Sequence, residues 1–399
     1  MRNLSYFSVT AVGVGLFFLF CSGCANVSRK IQPAQVTIAP PRADADWPVS
    51  SPEAAGFVPD QLHAAFARVI AGDENVHSIL VERDGRLIAE VYRRGSDRTI
   101  GSYGGLGDFF ATDIEFDADT LHDVRSISKS IVALAYGIAR ERGTAPSIDA
   151  PVLDSFPELA DLRDPVRDTI LIKHLLGMST GLAWTEWGVG GLASDETALY
   201  WKSEPARYLL DREQVAPPGA LFNYNGAATA VLGEILNRTS GDYVEIIRTE
   251  LFAPLGITHW EWARDIRGRS VAFAGLRLRS RDMLKIGRLV REGGLWRGRT
   301  IVSGDWIREM LRPRLATGVR MLSGSGREAT YGYQWWSGTS AGPGGDVRWS
   351  AAIGNGGQRI YIVPELKLTI VITAGDYGSP NIGVAVGEIF DEIVQSVRL

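Results

Sequence analysis

The chain has 399 residues, of which 45% are hydrophobic and 22% are charged. These values are ordinary for a globular protein and leave ample length for a sizeable core in one large or two closely packed domains. The net charge of −4, with arginines interspersed among acidic residues, argues against a nucleic-acid-binding surface, so no nucleic-acid partner is expected.

The N-terminus has the pattern of a bacterial targeting segment. A positively charged start precedes an apolar run from Phe7 to Phe20, which is too short for a comfortable membrane span. A Ser-Gly-Cys24 ending looks like a lipobox, although Cys21 stands where a leucine is usual. A plain secretory signal is the alternative. We expect residues 1–24 to be a lipoprotein signal peptide, with Cys24 lipidated and the protein anchored in the cell envelope, on the periplasmic face of a bacterial membrane.

The cysteine content limits the chemistry of the mature protein. Cys21 and Cys24 are the only cysteines, so cleavage before Cys24 leaves a body with no free thiol beyond that residue and no disulfide. Cysteine nucleophiles and cysteine-based metal sites are then excluded. The five histidines show no metal-ligand spacing. We expect no metal and no other cofactor.

Residues 25–52 are polar and spaced by prolines, which predicts an extended tether, with the second half alternatively wrapped on the protein surface. Pro59 opens a predicted helix through Ala71. Two apolar runs between His77 and Tyr92 flank Asp84-Gly85, a strong hairpin signal. An apolar stripe at helical spacing follows Ser126 and predicts the next helix.

The rest of the chain divides into a helical block and a return to strands. Residues 141–265 read as mostly helical, and residues 321–346, rich in Gly and Ser, read as a surface loop. Two strands, Gln358–Val363 and Leu368–Thr373, precede a final helix over Ile382–Val397. Strands at both ends with helices between them predict one sheet flanked by helices, with an α-helical insertion.

Ser126 and Lys129 are the first candidates for catalytic residues. Residues three apart share a helix face, so the Ser126 hydroxyl and the Lys129 amine can meet. A serine hydroxyl needs an adjacent base to become a nucleophile. Lysine serves as that base when burial or neighbouring charge destabilises its ammonium form. A solvated helix end is the alternative interpretation of the pair.

Two later segments supply the remaining parts of an acyl-transfer site. Tyr224 lies in a turn before a predicted helix and could carry a proton if Lys129 lowered its pKa. Asn355-Gly356-Gly357-Gln358 enters a predicted strand, where glycines allow the backbone to approach a ligand and its N–H groups could form half of an oxyanion hole.

The order of these motifs resembles the serine β-lactamase and penicillin-binding protein superfamily. More narrowly, it looks like the class C β-lactamase-related serine hydrolases, which include esterases, D-amino-acid peptidases and aminohexanoate-dimer hydrolases. The resemblance covers most of residues 50 to 395 and is carried by Asp123-Val-Arg-Ser-Ile-Ser-Lys-Ser130, Ile172-Lys-His-Leu-Leu-Gly-Met-Ser-Thr-Gly181, Leu251-Phe-Ala-Pro-Leu-Gly-Ile257 and Gly354-Asn-Gly-Gly-Gln358.

The resemblance implies an α+β fold, with an antiparallel sheet flanked by helices and an inserted all-helical domain. The sheet domain would comprise residues 53–140 and 266–399, and the helical domain residues 141–265. It also implies roles in the reaction: Ser126 as nucleophile, Lys129 as base and Tyr224 as proton carrier. The backbone N–H groups of Ser126 and Gln358 would form the oxyanion hole.

The chain departs from the class C pattern at two substrate-handling positions. The family pattern is Tyr-x-Asn, and here the turn is Tyr224-Asn225-Gly226, so the shifted Asn225 or water would replace the missing amide. The third motif usually carries Lys or His, and here Asn355 precedes Gly356 and Gly357. Asn225, Asn355, Gly356 and Gly357 are therefore predicted to contact substrate without supplying positive charge.

These departures favour an envelope serine hydrolase that acts on a small ester or amide. One alternative is a β-lactamase or D,D-peptidase acting on β-lactams or peptidoglycan-like substrates, which carry a carboxylate that the usual cation helps to bind. A second alternative, from another class, is a catalytically weak binding or scaffolding lipoprotein that retains the fold.

Overall fold

The computed structural model describes residues 41–101, 111–186, 194–320 and 322–398. The predicted signal peptide, Cys24 and residues 25–40 of the predicted tether lie outside the described residues. The second half of the tether segment packs on the body of the protein. Trp47 is fully buried and makes an edge-on contact with Trp296, with ring centroids 6.2 Å apart. The Leu87 N–H also donates to the Pro48 carbonyl at 2.9 Å, so this part of the segment is wrapped on the surface.

Fifteen strands lie within the described residues. In chain order they are β1 (Val76–Arg83), β2 (Arg86–Tyr92), β3 (Arg94–Asp97), β4 (Thr112–Glu115), β5 (Leu121–Asp123), β6 (Trp260–Trp262), β7 (Leu276–Arg279), β8 (Leu295–Trp296), β9 (Arg299–Thr300), β10 (Leu315–Ala316), β11 (Thr330–Tyr331), β12 (Trp336–Gly342), β13 (Gly345–Gly354), β14 (Gln358–Val363) and β15 (Leu368–Ala374).

The α-helices of the same residues are short, apart from five of twelve residues or more. In chain order they are α1 (Pro59–Ala71), α2 (Ile127–Glu141), α3 (Ile172–Leu176), α4 (Asp195–Leu199), α5 (Pro205–Leu210), α6 (Gly226–Thr239), α7 (Tyr243–Ile246), α8 (Ser280–Arg291), α9 (Gly304–Leu311) and α10 (Pro380–Gln395). A π-helical turn, Ile247–Phe252, continues α7. Within the described ranges, no helix is both long enough and apolar enough to cross a membrane.

An antiparallel sheet forms the centre of the fold. Its eight strands within the described residues run in the order β10-β11-β12-β13-β14-β15-β1-β2. Ile360 and Tyr361 are consecutive on β14 and so face opposite sides of the sheet. A Cβ at Gly287 of α8 would lie 2.7 Å from Ile360, whereas Phe390 of α10 stacks on Tyr361 with ring centroids 4.1 Å apart. Helices therefore cover both faces, which confirms the predicted fold class.

Local signals placed the first hairpin correctly. β1 and β2 pair antiparallel around Asp84 and Gly85, whose φ angles of 49° and 84° are both left-handed. Positive φ at both central residues defines the turn type that matches the twist of a two-residue hairpin. The predicted helix from Pro59 to Ala71 is confirmed without a shift in its bounds.

The predicted surface loop over residues 321–346 is wrong. The segment contributes β11, β12 and the start of β13 to the sheet. Its glycines mislead because one of them has a packing role: a Cβ at Gly338 would lie 2.5 Å from the ring of Trp349 on the neighbouring strand. Tyr331, Trp335 and Trp336 of this segment are all buried. Aromatic burial across strands, and not the Gly and Ser content, decides the structure here.

The helical block places the start of α6 close to the start of α2, where Lys129 lies over the ring of Tyr224. α6 packs against α2, α3 and α5. The last residues of the predicted 141–265 block are not helical, because β6 pairs with β7 in a small three-stranded sheet that also contains β5. β5 leads directly into α2, so this small sheet supports the segment that carries Ser126.

Candidate active site

Ser126 lies at the start of α2, held between two sheets. Val124 donates its N–H to the Leu276 carbonyl at 3.1 Å, and Arg125 has a left-handed φ of 52°. On the other side, a Cβ at Gly354 would lie 2.3 Å from the Val124 carbonyl oxygen. A glycine at this position therefore allows the β13–β14 connection to pack directly against the backbone that leads to the nucleophile.

Lys129 lies one turn further along α2 and points at Ser126. Its Nζ is 2.9 Å from Ser126 Oγ, 3.0 Å from the Phe273 carbonyl oxygen and 3.4 Å from Glu196 Oε2. The side chain is only 1% exposed. An ammonium group has three N–H donors, and these three acceptors match them.

The charge state of Lys129 differs from the sequence-based expectation. Burial lowers the pKa of Lys129, but the carboxyl groups of Glu196 and Glu186 raise it by more, so the net shift is upward. The lysine is desolvated, as expected, but its ammonium form is not destabilised overall. Two acidic partners, which stabilise the ammonium form, outweigh the cost of removing it from water.

Those partners form a hydrogen-bonded carboxyl pair. Burial and the neighbouring Glu196 raise the pKa of Glu186 well above its usual range. Burial also acts to raise the pKa of Glu196, but Lys129 and the hydrogen bond from Glu186 lower it by more. These opposite shifts make Glu186 the more readily protonated of the two carboxyl groups and favour the negative charge on Glu196, beside Lys129.

The pair is fixed to the start of α6 and to a tryptophan. Glu186 Oε2 accepts hydrogen bonds from the Gly226 N–H at 2.6 Å and from Trp184 Nε1 at 2.9 Å. Its other oxygen, Oε1, lies 3.8 Å from Lys129 Nζ. Neither glutamate was identified from the sequence. The signal that could have found them is Gly226. The missing side chain at this position leaves space beside a buried lysine for another polar group.

Tyr224 completes the group of contacts around Ser126. Its side chain hydrogen-bonds to that of Ser126, and its ring lies under Lys129 Nζ at 4.9 Å. Burial, followed by the charges of Glu186 and Glu196, raises the pKa of Tyr224 well above its usual value. The expected lowering of this pKa is wrong, because burial and the acidic pair together raise it. Tyr224 is thus a neutral phenol.

An aromatic wall surrounds Tyr224 on the side away from the lysine. The ring stacks on Trp336 with centroids 5.7 Å apart and meets Tyr331 edge-on at 6.2 Å. Phe222 contacts Tyr224, Tyr331 and Trp336. These contacts hold the phenol in one orientation towards Ser126.

Two of the residues predicted to bind substrate have structural partners. Asn225 caps α6, with its Oδ1 accepting the Ala228 N–H at 3.1 Å, so its amide does not replace the side chain missing from Gly226. Glu196 lies in that place. Asn355 Oδ1 accepts the Gly378 N–H at 2.9 Å and so fixes the loop after β15.

The glycines that follow Asn355 fit their positions tightly. Gly356 has a φ of 85°, and a Cβ there would lie 2.4 Å from the ring of Tyr377. Gly357 has a φ of 98°, and a Cβ there would lie 2.8 Å from that of Ala374. Gln358 then starts β14, paired with Gly354. Its side-chain amide donates to the Ala374 carbonyl and anchors the strand entry.

Comparisons with known proteins agree with this architecture. Residues 75–383 match the sequence model of the family described as Beta-lactamase. The chain belongs to the Beta-lactamase family. Members of this family are serine hydrolases, so the protein is an enzyme of that class.

Among the described residues, no group of three or more His, Cys, Asp or Glu side chains could hold a metal ion.

Similar proteins include a curated relative and two solved structures. A 6-aminohexanoate-dimer hydrolase from Paenarthrobacter ureafaciens is 27% identical over 308 residues, covering 74% of this chain and 71% of the relative. A Bacillus anthracis structure provisionally assigned as a 6-aminohexanoate-dimer hydrolase has a TM-score of 0.64 at 18% identity, covering 88% and 87% of the two chains. A family VIII carboxylesterase has a TM-score of 0.59 at 17% identity, covering 83% and 96%.

Proposed function

We propose that this Beta-lactamase family member hydrolyses a small ester or amide through an acyl-enzyme formed on Ser126. The observation that carries the proposal is the contact of 2.9 Å between Lys129 Nζ and Ser126 Oγ, with Tyr224 hydrogen-bonded to the same serine. The names of the similar proteins, a dimer hydrolase and a carboxylesterase, support amide and ester substrates.

In the proposed reaction, Ser126 Oγ attacks the substrate carbonyl and its proton passes to Lys129 as a free amine. The backbone N–H groups of Ser126 and Gln358 bind the oxyanion, and one such donor is worth about 3 kcal/mol. The N-terminal end of α2 also favours the developing negative charge. Tyr224, a neutral phenol, donates a proton to the leaving group. Lys129 and Tyr224 then activate the water that releases the acid.

A fluorophosphonate probe tests for the nucleophile. Wild-type protein is expected to be labelled and the Ser126→Ala variant is not. Ser130→Ala is a matched control from the same helix, since Ser130 makes a hydrogen bond to the Gln334 carbonyl and has no lysine three residues later. It should be labelled like the wild type. Equal labelling of wild type and Ser126→Ala rejects Ser126 as the nucleophile. No labelling of either protein rejects the hydrolase mechanism and favours a binding or scaffolding role.

Turnover assays separate the candidate substrates. Hydrolysis of p-nitrophenyl esters faster than that of the β-lactam nitrocefin is expected, because Asn355 supplies no charge for a β-lactam carboxylate. Rapid nitrocefin cleavage without ester turnover would instead assign the protein as a β-lactamase.

We further propose that the mature protein is held at the periplasmic face of a bacterial membrane through acyl chains on Cys24. The support is the apolar run and the Ser-Gly-Cys ending at the N-terminus. Mass spectrometry of the mature N-terminus tests this location. An acylated Cys24 is expected, and an unmodified N-terminus in a released protein contradicts it.

A further inference from the structure

As an ammonium ion, Lys129 has no lone pair with which to accept the proton of Ser126. Its Nζ makes three hydrogen bonds as a donor, to Ser126 Oγ, to the Phe273 carbonyl and to Glu196 Oε2. An ammonium ion cannot act as a base until one of its protons leaves. The group that receives this proton is therefore part of the mechanism.

The three acceptors differ in their capacity to take a proton. An amide carbonyl and a hydroxyl are very weak bases, whereas a carboxylate is an ordinary one. Glu196 Oε2, 3.4 Å from Nζ, is the carboxylate among them. We propose that Glu196 takes a proton from the Lys129 ammonium before Ser126 attacks, with Glu186 as the protonated partner that holds it in place. This inference rests on the proposed Ser126 acyl-enzyme.

The proton count balances over the cycle. Before acylation, the Nζ–H bond of Lys129 breaks and an O–H bond forms on Glu196, leaving a neutral amine and two neutral carboxyl groups. The amine takes the Ser126 proton during attack and returns it, through the Tyr224 hydroxyl, to the leaving group as its bond to the carbonyl carbon breaks. In deacylation the amine takes a proton from the attacking water and passes it to Ser126 Oγ as the acyl bond breaks. After deacylation, Glu196 returns its proton to Lys129. The buried position of Lys129, 1% exposed, makes the neutral pair accessible, because burial removes the hydration that would favour separate ions.

The absence of a side chain at Gly226 leaves the space that the Glu196 carboxylate occupies. A Cβ at this position would lie 2.7 Å from Glu196 Oε2 and 3.2 Å from its Cδ. The Gly226 N–H also binds Glu186 at 2.6 Å. The residue that departs from the family pattern therefore both makes room for one member of the pair and holds the other.

Several other titratable groups surround the pair and influence it. Arg125 lowers the pKa of Glu196, whereas Tyr224 and Tyr200 interact electrostatically with the acidic pair and Tyr331 does so with Lys129. None of the three phenols titrates near neutral pH, because burial raises the pKa of each. Glu196, Glu186 and Lys129 therefore remain the groups that decide the proton count.

Glu196→Gln and Glu186→Gln form a matched pair of variants. Glutamine at 186 still donates an N–H to Glu196 and leaves the carboxylate beside Lys129, so kcat for a p-nitrophenyl ester should fall much less than in Glu196→Gln. Glutamine at 196 cannot accept a proton, so kcat should fall by about 100-fold or more at neutral pH, with KM little changed. In Glu196→Gln, the carboxyl group of Glu186 remains, but it lies 3.8 Å from Lys129 Nζ, which is beyond hydrogen-bonding distance. It is therefore not expected to take over the role of Glu196.

The pH profiles supply a signature that a merely structural role would not give. Wild-type kcat should persist to the acidic side of the ordinary glutamate range, since the pKa of Glu196 is lowered. In Glu196→Gln, Lys129 must lose its proton to solvent, so kcat should rise with pH. The inference is overturned if Glu196→Gln matches Glu186→Gln in rate and profile.

Two further measurements keep the test decisive. Gly226→Ala displaces Glu196 without removing its carboxyl group and should also slow turnover, which covers the case of a Glu196→Gln variant that fails to fold. NMR of the Lys129 side chain reports its charge without any substrate, and its pKa should fall in Glu196→Gln while kcat at neutral pH also falls. If Glu196 acted through its charge alone, the lower pKa of Lys129 would instead give more free amine and a higher kcat. An unchanged Lys129 titration contradicts the proposal. Wild-type protein that is neither labelled nor active rejects the proposed function instead.

Discussion

Glu196 Oε2 occupies the space next to Gly226 in which a side chain would begin, 2.7 Å from the position of a Cβ atom. The class C-like pattern places an asparagine at this point of the turn. Here a carboxylate reaches the same region from α4, across the helical block. The position of a neutral amide is thereby taken by a carboxylate 3.4 Å from Lys129 Nζ, which favours the ammonium form of that lysine.

Replacing Lys129 should abolish acyl transfer. Lys129→Met removes the base and should lower kcat by about 100- to 10,000-fold. Lys129→Arg should not restore activity, because a guanidinium stays protonated and cannot accept the serine proton. Pre-steady-state turnover of a p-nitrophenyl ester measures the acylation step. A Lys129→Arg variant with near wild-type acylation would contradict the assignment of Lys129 as base.

Tyr224→Phe should impair amide hydrolysis more than ester hydrolysis. The variant keeps the ring that stacks on Trp336 but loses the hydroxyl that bonds to Ser126. An amine leaving group needs a proton more than a phenolate does, so the ratio of ester to anilide turnover should rise by about tenfold or more. Equal losses on matched ester and anilide substrates would show that Tyr224 acts on another step.

Acid should destabilise the protein through His122. Burial and the nearby charges of His77 and Arg277 lower the pKa of this histidine well below its usual 6.5, and its ring nitrogens have no hydrogen-bond partner among the described residues. The unfolded chain binds a proton below about pH 6.5 and the folded chain does not, so the free energy of unfolding falls as pH drops below that value, by up to about 1.4 kcal/mol per pH unit.

The His122→Leu variant isolates this effect. Its free energy of unfolding should fall less steeply than that of wild type between pH 6.5 and pH 5, as measured by urea denaturation. Parallel curves for the two proteins would assign the acid sensitivity to other groups.

Gly357→Ala should destabilise the strand entry more than Gly378→Ala. Both glycines have a left-handed φ, of 98° and 80°. A Cβ at Gly357 would also lie 2.8 Å from Ala374 Cβ, whereas nothing lies within 4 Å of one at Gly378. Gly357→Ala should therefore cost about 1–3 kcal/mol beyond the backbone strain shared by both variants. Equal melting temperatures would show that β14 and β15 separate easily at this point.

The parts of the structure that were predicted correctly depend on local rules. The spacing of Ser126 and Lys129 sets a shared helix face, and Asp84-Gly85 sets a hairpin whatever surrounds them. The resemblance to a known family added the antiparallel sheet and the order of the motifs. These inferences needed no knowledge of which distant segments meet.

The features that were missed depend on tertiary packing. Glu186 and Glu196 meet Lys129 from outside α2, and no spacing along the chain relates them to it. The direction of the Lys129 pKa shift is the balance between burial and those two partners, so its sign could not be set from α2 alone. The strands at 330–342 were likewise missed because the segment is rich in glycine, and the packing role of Gly338 depends on Trp349 of the neighbouring strand.

The most direct test of the central claim is to trap the acyl-enzyme. Wild-type protein and Ser126→Ala are mixed with a p-nitrophenyl ester, quenched in acid within the burst phase, digested and analysed by mass spectrometry. The account predicts an added acyl mass on Ser126 in the wild type and no such adduct in the variant. Turnover of the ester with the acyl group on another residue, or an unchanged adduct in Ser126→Ala, would contradict it.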